Sequence, residues 1–541
     1  MPIHQTTAYN SRRSPVLTTG AIVATSQPLA ANAGLEILRQ GGNAADAAVA
    51  TAAALNVVEP MSTGVGGDCF ALYYDARTKK VTALNGSGRA PAELTLEDLR
   101  SEGLTHIPDR SPHAVTVPGT VQGWADLLTQ HGRLTLADVL QPAIHYAETG
   151  YPVSPVIARG WKNVAPVFRP VDAPHEYLPG GNPPEPGQIV KLPALARTLR
   201  AIAEGGAKAF YEGPIAEAIA TRVQAAGGRL TVDDLQAHTS SWEEPISIDY
   251  HGVRVFECPP NGQGLAALLA LNIIKKIEPP TLQREQSAAR LHLMIEAMRL
   301  AFADARHYIA DPAFQPAPLE KLLSRSYTAE RRAMINPERA MHPPTFGKPI
   351  AESDTVYLTV VDQEGNACSF INSLYMGFGS GLVVRDEGIV LQNRGSLFSL
   401  EPDHPNRLKP GKRPYHTIIP GMATRGDELY ASFGVMGGFM QPQGHLQVIN
   451  ALVDGGLDPQ SALDRPRFCV MGGEASGQIA LEKGIDFDIM AYLADLGHQI
   501  VPVRGPKRAM FGGGQIILRN TDTGVLWGGS DPRKDGAAVA F

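Results

Sequence analysis

The sequence is poor in cysteine, the residue that builds disulfide frameworks and many zinc sites. Its 541 residues include only Cys69, Cys258, Cys368 and Cys469, which lie far apart and form no C-x-x-C pair. A disulfide scaffold or a structural zinc site is therefore not expected, and isolated cysteines fit a reducing compartment. We expect a cytoplasmic protein without a metal ion or an organic cofactor.

Long apolar runs and an excess of positive charge are also missing. No run of about 18 apolar residues occurs, and the net charge is −6. These absences exclude a membrane-spanning helix and leave no basic surface for nucleic acid or anionic lipid. Residues 11–14, Ser-Arg-Arg-Ser, resemble a twin-arginine export signal, but the polar stretch that follows is more typical of a first strand at residues 21–25.

Three common catalytic motifs are absent: the G-x-S-x-G elbow, the H-E-x-x-H metal motif and the Walker A loop. Residues 377–381, Gly-Phe-Gly-Ser-Gly, are rich enough in glycine to suggest a dinucleotide site. That fingerprint requires a helix directly after the glycines, whereas the strand-like Leu-Val-Val of residues 382–384 follows here. We therefore predict a turn at residues 377–381.

The first half of the chain is mainly helical in pattern. Residues 28–58 predict two helices separated by Gly41 and Gly42, and the alanine- and valine-rich second helix, Ala44–Val58, is expected to be buried on most sides. The pattern of residues 287–308 predicts another long helix, in which we expect His292 and Met294 to be core or rim residues rather than ligands.

A proline-rich stretch at about 335–354 predicts a mobile surface linker, after which the pattern changes to strands. Val356–Val361 and residues 367–374 predict an antiparallel hairpin around a turn that contains Gly365. Further strands are predicted at 382–385, 388–391, 429–433 and 514–518. A helix is predicted at 443–453, closed by Gly455 and Gly456. Sheets covered by helices on their outer faces are the economical packing for this order.

The dipeptide Asp354-Thr355 lies between the linker and the first strand of the β-rich half. If the chain were cut there, Thr355 would carry a hydroxyl and a free α-amine on one residue. An α-amine has a pKa of about 7.7–8.0, so it can take the hydroxyl proton and make the oxygen a nucleophile. Taken alone, a threonine that opens a strand is also an ordinary β-former.

Residues 433–438, Phe-Gly-Val-Met-Gly-Gly, end a predicted strand and lead toward a predicted helix. The adjacent glycines Gly437 and Gly438 would let backbone N–H groups point into a cleft, as in an oxyanion hole for acyl transfer. A simple strand-to-helix turn is the alternative interpretation.

Together with other segments in the same order, these features resemble the γ-glutamyltransferase family, including its glutathione hydrolase-like and acylase-like branches. The segments are residues 24–75, HAVTVPGTVQGW from His113, ECPPNGQG from Glu257, DTVYLTVVDQEGNA from Asp354, MGFGSG from Met376, KRPYHTIIPG from Lys412, GVMGG from Gly434 and SDPRKDG from Ser530. The resemblance implies an α+β fold, the four-layer αββα sandwich of N-terminal-nucleophile hydrolases. It also implies a zymogen that cuts itself into a large piece (1–354) and a small piece (355–541), which stay associated. We predict that two such pairs can assemble into a homodimer of heterodimers.

By position, the resemblance assigns the nucleophile to Thr355, a positioning hydroxyl to Ser373 and the oxyanion hole to Gly437 and Gly438. The recognition positions depart from the family. Ser87 replaces the arginine that holds a γ-glutamyl carboxylate, with Arg89 nearby, and Leu397 replaces the acidic residue that holds its amine. The paired serines fall on His416 and Thr417, and a nearby asparagine falls on Tyr375.

These changes indicate that the catalytic centre is kept while the γ-glutamyl clamp is rebuilt. Replacing an acid by Leu397 and placing Arg394 three residues earlier favours an anion over an ammonium, and Arg89 and His416 could add to that preference. The alternative is that the arginines form structural ion pairs.

We therefore predict an amide hydrolase or acyltransferase that works through acyl-Thr355. The first hypothesis is a glutathione hydrolase-like enzyme. The second is an amidohydrolase or acylase for a small anionic amide such as oxamate, or for a glutaryl or cephalosporin-type amide. The third hypothesis is not an enzyme: a processed but catalytically idle binding protein.

In family members that carry a lid, the stretch between the Pro-Asn pair and the Lys-Arg-Pro run is longer, whereas here only Arg407 to Gly411 separates Asn406 from Lys412. The segment from Ser399 to Lys412 should therefore leave the active site open. We predict an open site, in which water reaches the acyl-enzyme and hydrolysis exceeds transfer.

Overall fold

The computed structural model describes residues 13–168, 175–276, 287–341, 355–475 and 477–541. Asp354 and most of the predicted linker, residues 342–354, lie outside the described residues. No helix in these ranges combines the length and apolar character needed to cross a bilayer. The four cysteines are buried and free of disulfide bonds.

The strands are, in chain order, β1 (Val16–Thr18), β2 (Ile22–Thr25), β3 (Asp68–Asp75), β4 (Lys80–Gly86), β5 (Tyr151–Pro152), β6 (Ile189–Val190), β7 (Ser241–Glu243), β8 (Ile246–Tyr250), β9 (Val253–Glu257), β10 (Val356–Val361), β11 (Ala367–Ser373), β12 (Val383–Val384), β13 (Ile389–Val390), β14 (Gly421–Arg425), β15 (Glu428–Met436), β16 (Phe468–Val470), β17 (Ile479–Glu482), β18 (Ile500–Val503), β19 (Gly513–Arg519), β20 (Leu526–Ser530) and β21 (Ala537–Ala540).

The helices are α1 (Pro28–Arg39), α2 (Ala44–Val58), α3 (Leu96–Ser101), α4 (Thr120–His131), α5 (Leu136–Val139), α6 (Gln141–Thr149), α7 (Pro155–Val164), α8 (Pro193–Gly205), α9 (Lys208–Tyr211), α10 (Pro214–Ala225), α11 (Val232–Gln236), α12 (Gly264–Ile274), α13 (Ala288–Tyr308), α14 (Leu319–Leu322), α15 (Arg325–Ala333), α16 (Met440–Val453), α17 (Pro459–Asp464) and α18 (Phe487–Asp495).

Two large sheets form the middle of the described structure. The first has the order β1-β20-β19-β15-β14-β9-β8, and the second has the order β21-β2-β10-β11-β3-β4-β7. Each sheet takes strands from both sides of the predicted cut, since β2 and β3 flank the β10–β11 hairpin. The two predicted pieces are therefore interleaved strand by strand.

Helices cover the outer faces of both sheets and apolar side chains fill the space between them. Helices α1, α2 and α4 pack on the second sheet, and α12 and α16 pack on the first. Helix α6 packs on α2, α8 packs on α6, and α13 packs on α12. Between the sheets, Phe70, Tyr357 and Ile517 belong to a separate buried cluster. The layers therefore follow the order helix, sheet, sheet, helix, and the predicted four-layer αββα fold is confirmed.

The strongest local sequence patterns match the structure closely. Helix α2 is buried along its whole length, as its alanine-rich composition predicted, and the hairpin has its predicted strands within one residue. Residues 377–381 form a turn, in which Phe378, Gly379 and Gly381 have positive φ. The strands predicted at 382–385 and 388–391 shrink to the two-residue β12 and β13, because a 3₁₀ turn occupies Arg385–Glu387.

The described beginning of the predicted linker is anchored to the protein. The N–H of Met341 donates to Glu296 Oε2 at 2.8 Å, and its carbonyl accepts from Arg299 at 3.1 Å. The N–H of Ala340 donates to the carbonyl of Leu496 at 2.7 Å. Residues 340 and 341 are therefore held by helix α13 and by Leu496 after α18, while the mobility of the linker at about 335–354 stays a prediction.

Candidate active site

Thr355 lies at the start of the central strand β10, directly opposite the end of β11. The hairpin register pairs Val356 with Asn372, which brings Thr355 beside Ser373. Thr355 is buried, and its Oγ1 lies 3.0 Å from Ser373 Oγ. The structure thus brings together the two hydroxyl residues that the sequence singled out.

Ser373 Oγ is the centre of a small hydrogen-bond network. It accepts from the N–H of Tyr375 at 2.8 Å and from the guanidinium of Arg394 at 3.2 Å. With both lone pairs occupied, the hydroxyl of Ser373 has its own proton to donate to Thr355 Oγ1. The hydroxyl proton of Thr355 is then free to go to a base.

Tyr375 adopts a backbone conformation that is rare for a residue with a side chain. Its φ is 79°, in the left-handed region, and such a conformation in a non-glycine residue costs free energy. It lets the N–H of Tyr375 turn back to Ser373 while its ring lies 4.5 Å from the guanidinium carbon of Arg394. Tyr375 therefore supports Arg394 by a cation–π contact.

Arg394 is fully buried in a 3₁₀ turn, Arg394–Leu397. One of its nitrogens donates to Thr417 Oγ1 at 2.7 Å, and another donates to Ser373. Burial lowers its pKa to about 10, against the opposing field of Asp68, so the guanidinium stays charged at neutral pH. In the described part of the chain its Nε has no hydrogen-bond partner, and no carboxylate lies within 4.0 Å of the guanidinium.

Asp68, which the sequence reasoning did not select, lies opposite Ser373 at the start of β3. Its carboxylate accepts from the N–H groups of Gly88 and Gly119 and from the side-chain amide of Gln392. Burial raises its pKa to about 6, and the positive charge of Arg394 limits that rise. The sequence feature that could have identified Asp68 is an acidic residue directly between two glycines and an apolar strand.

His416 faces Asp68 rather than an open pocket. Its Nε2 lies 3.1 Å from Asp68 Oδ2, and its Nδ1 accepts from the N–H of Ile418 at 3.4 Å. Nε2 therefore carries the proton and donates to the carboxylate. Burial and the nearby guanidinium of Arg394 hold the pKa of His416 well below its usual range, so a neutral imidazole adds no positive charge for an anion.

Arg89 does not join this group. Its guanidinium donates to the carbonyl of Thr239 at 3.2 Å on a partly exposed edge. Ser87, which stands at the family's arginine position, is buried and accepts from Asn261 Nδ2 at 3.1 Å. Leu397 is partly buried and packs against the apolar cluster that covers the outer face of the first sheet.

Gly437 and Gly438 form the turn between β15 and α16. Both have positive φ, 127° and 56°, and a Cβ on Gly437 would lie 3.2 Å from Gly512 Cα. Over the described ranges, no hydrogen bond is made by the N–H of either glycine. Two N–H donors without partners at a strand end suit an oxyanion hole.

Gln263, also missed from the sequence, connects this turn with the arginine. Its side-chain amide donates to the carbonyl of Thr417 at 2.6 Å and to that of Gly438 at 2.8 Å. Thr417 in turn accepts from Arg394. One continuous network therefore runs from Thr355 through Ser373 and Arg394 to the glycine turn.

A separate polar cluster lies on helix α13. Among the described residues, His292, Glu296 and His498 are the group whose ligand atoms lie close enough to hold a metal ion. The two imidazoles are hydrogen-bonded to each other at 2.8 Å, and Arg299 lies 3.4 Å from Glu296. His292 is buried, as predicted for a core residue, and this cluster anchors residues 335–341 rather than the Thr355 network.

A threonine at the start of a central strand, beside a two-glycine turn in an αββα sandwich, is the arrangement of N-terminal-nucleophile hydrolases. A family model described as gamma-glutamyltranspeptidase matches residues 30–541. The chain therefore belongs to the γ-glutamyltranspeptidase family.

The alignments with known relatives cover nearly the whole chain. The chain is 40% identical to the glutathione hydrolase-like YwrD proenzyme of Bacillus subtilis, over 97% of this chain and 99% of that protein. It is 36% identical to the oxamate amidohydrolase proenzyme of Klebsiella pneumoniae, over 98% and 99%. The crystal structure of cephalosporin acylase from Bacillus halodurans superposes with a TM-score of 0.91 at 47% identity, covering 100% of this chain and 99% of that one.

These similarities establish the class of activity. The chain is a hydrolase of the amide-cleaving type, made as a proenzyme whose large and small subunits come from one precursor. The sequence-based alternative of a catalytically idle binding protein is not supported, because the relatives are enzymes that act on amides.

Proposed function

We propose that the chain cuts itself between Asp354 and Thr355 and then hydrolyses a small amide whose acyl group carries a carboxylate. The pieces 1–354 and 355–541 would stay together, since both large sheets contain strands from each. Asp354 lies outside the described residues, and the proposal for the cut rests on the buried Thr355 at the start of β10.

Self-cleavage would begin when Thr355 Oγ1 attacks the carbonyl carbon of Asp354. The acyl group moves from nitrogen to oxygen, and the former amide nitrogen takes the hydroxyl proton and becomes the free α-amine of Thr355. Water then hydrolyses the ester, which releases the Asp354 carboxylate, restores the Thr355 hydroxyl and separates the two pieces. The hydrogen bond from Ser373 leaves the Thr355 hydroxyl proton free for transfer.

In turnover, the α-amine of Thr355 would take the hydroxyl proton as the oxygen attacks the substrate amide. The N–H groups of Gly437 and Gly438 would hold the resulting oxyanion. Collapse expels the leaving amine, which takes the proton from the α-ammonium. Water, deprotonated by the same amine, then hydrolyses the acyl-threonine ester and releases the acid.

One observation supports the anionic acyl group: the buried guanidinium of Arg394 beside the nucleophile network. Its described partners are neutral hydroxyls, and its Nε is without a hydrogen bond. A buried, charged guanidinium with an unused N–H suits a carboxylate, which can accept two N–H bonds. The family position for an amine-binding acid is Leu397, so a free α-ammonium would lack its partner there.

The names of the relatives allow both candidate functions. Oxamate amidohydrolase and cephalosporin acylase support an acyl amide without an α-amine, whereas the glutathione hydrolase-like relative supports γ-glutamyl hydrolysis. Arg394 and Leu397 favour the first.

The test is a comparison of kcat/KM for oxamate, glutaryl-p-nitroanilide, γ-glutamyl-p-nitroanilide and glutathione. We expect glutaryl-p-nitroanilide to exceed its γ-glutamyl counterpart, and intact-mass analysis of quenched enzyme to find the acyl group on the small subunit. Thr355→Ala should show neither turnover nor acylation. A clear preference for γ-glutamyl compounds would refute the anionic-acyl proposal.

We also propose a cytoplasmic location, which the four free and buried cysteines support. A homodimer of heterodimers stays a prediction, and light scattering of the processed enzyme would test it.

A further inference from the structure

A cleft of about 520 Å³ lies between helix α7 and residues 505–509. One wall therefore precedes the predicted cut and the other follows it. Arg159 is on the first wall, Lys507 on the second, and Glu59, Met61 and Lys534 line the space between them. Its volume is in the range of small-ligand sites, about 300–1,000 Å³.

The cleft borders the start of strand β10. Glu59 accepts from Ser26 Oγ at 2.6 Å, and Ser26 directly follows β2, which pairs with β10. The carbonyl oxygen of Met61 accepts from the N–H of Phe378 at 2.8 Å. The next residue, Ser62, accepts from the N–H of Leu374, which follows Ser373.

The cleft also borders the glycine turn. The side chain of Lys534 lies against Gly513, where an added Cβ would come within 2.7 Å of Lys534 Cγ. Gly513 pairs with Met436, the residue directly before Gly437. The cleft therefore lies near the end of the sheets that carries Thr355 and the candidate oxyanion hole, although neither Thr355 nor the two glycines line it.

The cleft carries more positive than negative charge. Arg508 is paired with Glu482 at 2.6 Å, and Lys534 lies 4.0 Å from Glu59. Arg159 and Lys507 are exposed, and within the described ranges neither forms an ion pair or a hydrogen bond through its side chain. Two cations on opposite walls thus remain available to an anion.

We propose that this cleft receives the leaving amine of the substrate and that Arg159 and Lys507 bind a carboxylate on that amine. The inference rests on the proposed acyl transfer to Thr355. Arg394 occupies the buried side of the nucleophile, whereas the cleft is open to solvent, where the amine product must depart. The preferred substrate is then an amide with an acidic acyl part and an acidic amine part.

The experiment crosses two acyl groups with two leaving groups. Glutaryl and γ-glutamyl amides of p-nitroaniline and of 3-carboxy-4-nitroaniline give four substrates, for which kcat/KM is measured. The wild-type enzyme should favour the carboxylated anilide within each acyl series by roughly three- to tenfold, because exposed ion pairs each contribute little. The preference should shrink in high salt.

The double variant Arg159→Gln, Lys507→Gln should lose this preference while keeping its rates on the p-nitroanilides. Lys162→Gln and Arg504→Gln are matched controls, since both remove exposed cations close in sequence that do not line the cleft. Gel analysis of self-cleavage and a melting temperature confirm that each variant folds.

The two proposals fail separately. Comparing glutaryl with γ-glutamyl substrates tests the role proposed for Arg394. Comparing the two anilines tests the cleft, and it can be made with whichever acyl group the enzyme hydrolyses. Titration calorimetry with the product 5-amino-2-nitrobenzoate adds a reading that needs no turnover, and the double variant should bind it more weakly. Absence of the carboxylate preference in the wild type, or its persistence in the double variant, would overturn the inference.

Discussion

Replacing Arg394 separates recognition of the substrate from organisation of the nucleophile. The guanidinium donates to Ser373 and Thr417, so Arg394→Gln should lower activity on every substrate by loosening the network around Thr355. An anionic substrate should lose its own charge-assisted hydrogen bonds in addition. The informative quantity is therefore a ratio of two substrates, in which the shared loss cancels.

Glutaryl-p-nitroanilide and pentanoyl-p-nitroanilide form a suitable pair, because they have the same chain length and differ in the terminal carboxylate. A hydrogen bond to a charged group contributes about 1.5–3 kcal/mol, and each 1.4 kcal/mol is about a factor of ten. The kcat/KM ratio of glutaryl to pentanoyl substrate should therefore fall roughly 10- to 150-fold in Arg394→Gln. In Arg394→Lys this ratio should fall less, because lysine keeps the positive charge but lacks the planar guanidinium.

Arg89→Gln is the matched control, because Arg89 is the other arginine expected to favour an anion, and its guanidinium donates to the carbonyl of Thr239 outside the Thr355 network. It should leave the ratio unchanged. If Arg394→Gln lowers kcat/KM equally for the glutaryl and pentanoyl substrates, the guanidinium has only a structural role and the argument for an anionic acyl group fails.

Three further outcomes are expected. Thr355→Ala should remain a single chain of 57.8 kDa on a denaturing gel and Thr355→Ser should cleave more slowly, whereas a small fragment that begins at another residue would contradict the assignment. Glycylglycine should change turnover little, because residues 399–412 form a short loop tied down by hydrogen bonds such as that from Lys412 to the carbonyl of Arg407; a several-fold acceleration would disprove an open, hydrolytic site. Asp68 has a pKa of about 6, so the carboxylate that offsets Arg394 is lost as pH falls below that value. KM for the glutaryl substrate should then decrease several-fold relative to the pentanoyl substrate, and a pH dependence that survives in Asp68→Asn would exclude this carboxylate as its source.

The part of the site that was predictable from the sequence is the part set by local patterns. The β-branched run after Thr355 and the turn at Gly365 predict the hairpin, and the hairpin alone brings Thr355 beside Ser373. The adjacent glycines after a strand similarly predict the turn at Gly437 and Gly438. In each case the residues that meet are close in sequence or lie on one supersecondary unit.

The remaining contacts depend on pairings between distant segments, for which the sequence has no local signal. Asp68 meets Ser373 only because β3 pairs with β11, and Gln263 reaches Gly438 only because β9 and β15 lie in one sheet. His416 was expected near an anion site, but burial beside Asp68 determines both its direction and its neutral state. A positive charge at position 416 would require either exposure or a different neighbour.

The charges around Thr355 explain how a buried arginine can remain available for a ligand. A guanidinium taken out of water without compensation costs several kcal/mol, so Arg394 needs a negative charge nearby. Asp68 supplies that charge, since each residue shifts the pKa of the other. The carboxylate is nevertheless held by Gly88, Gly119 and Gln392, and it makes no ion pair with the guanidinium within the described residues. A direct ion pair would have to break before a substrate could bind, and that cost would weaken binding. Compensation at a distance stabilises the cation while leaving its Nε for the acyl group, which is the property that an anion-selective hydrolase requires.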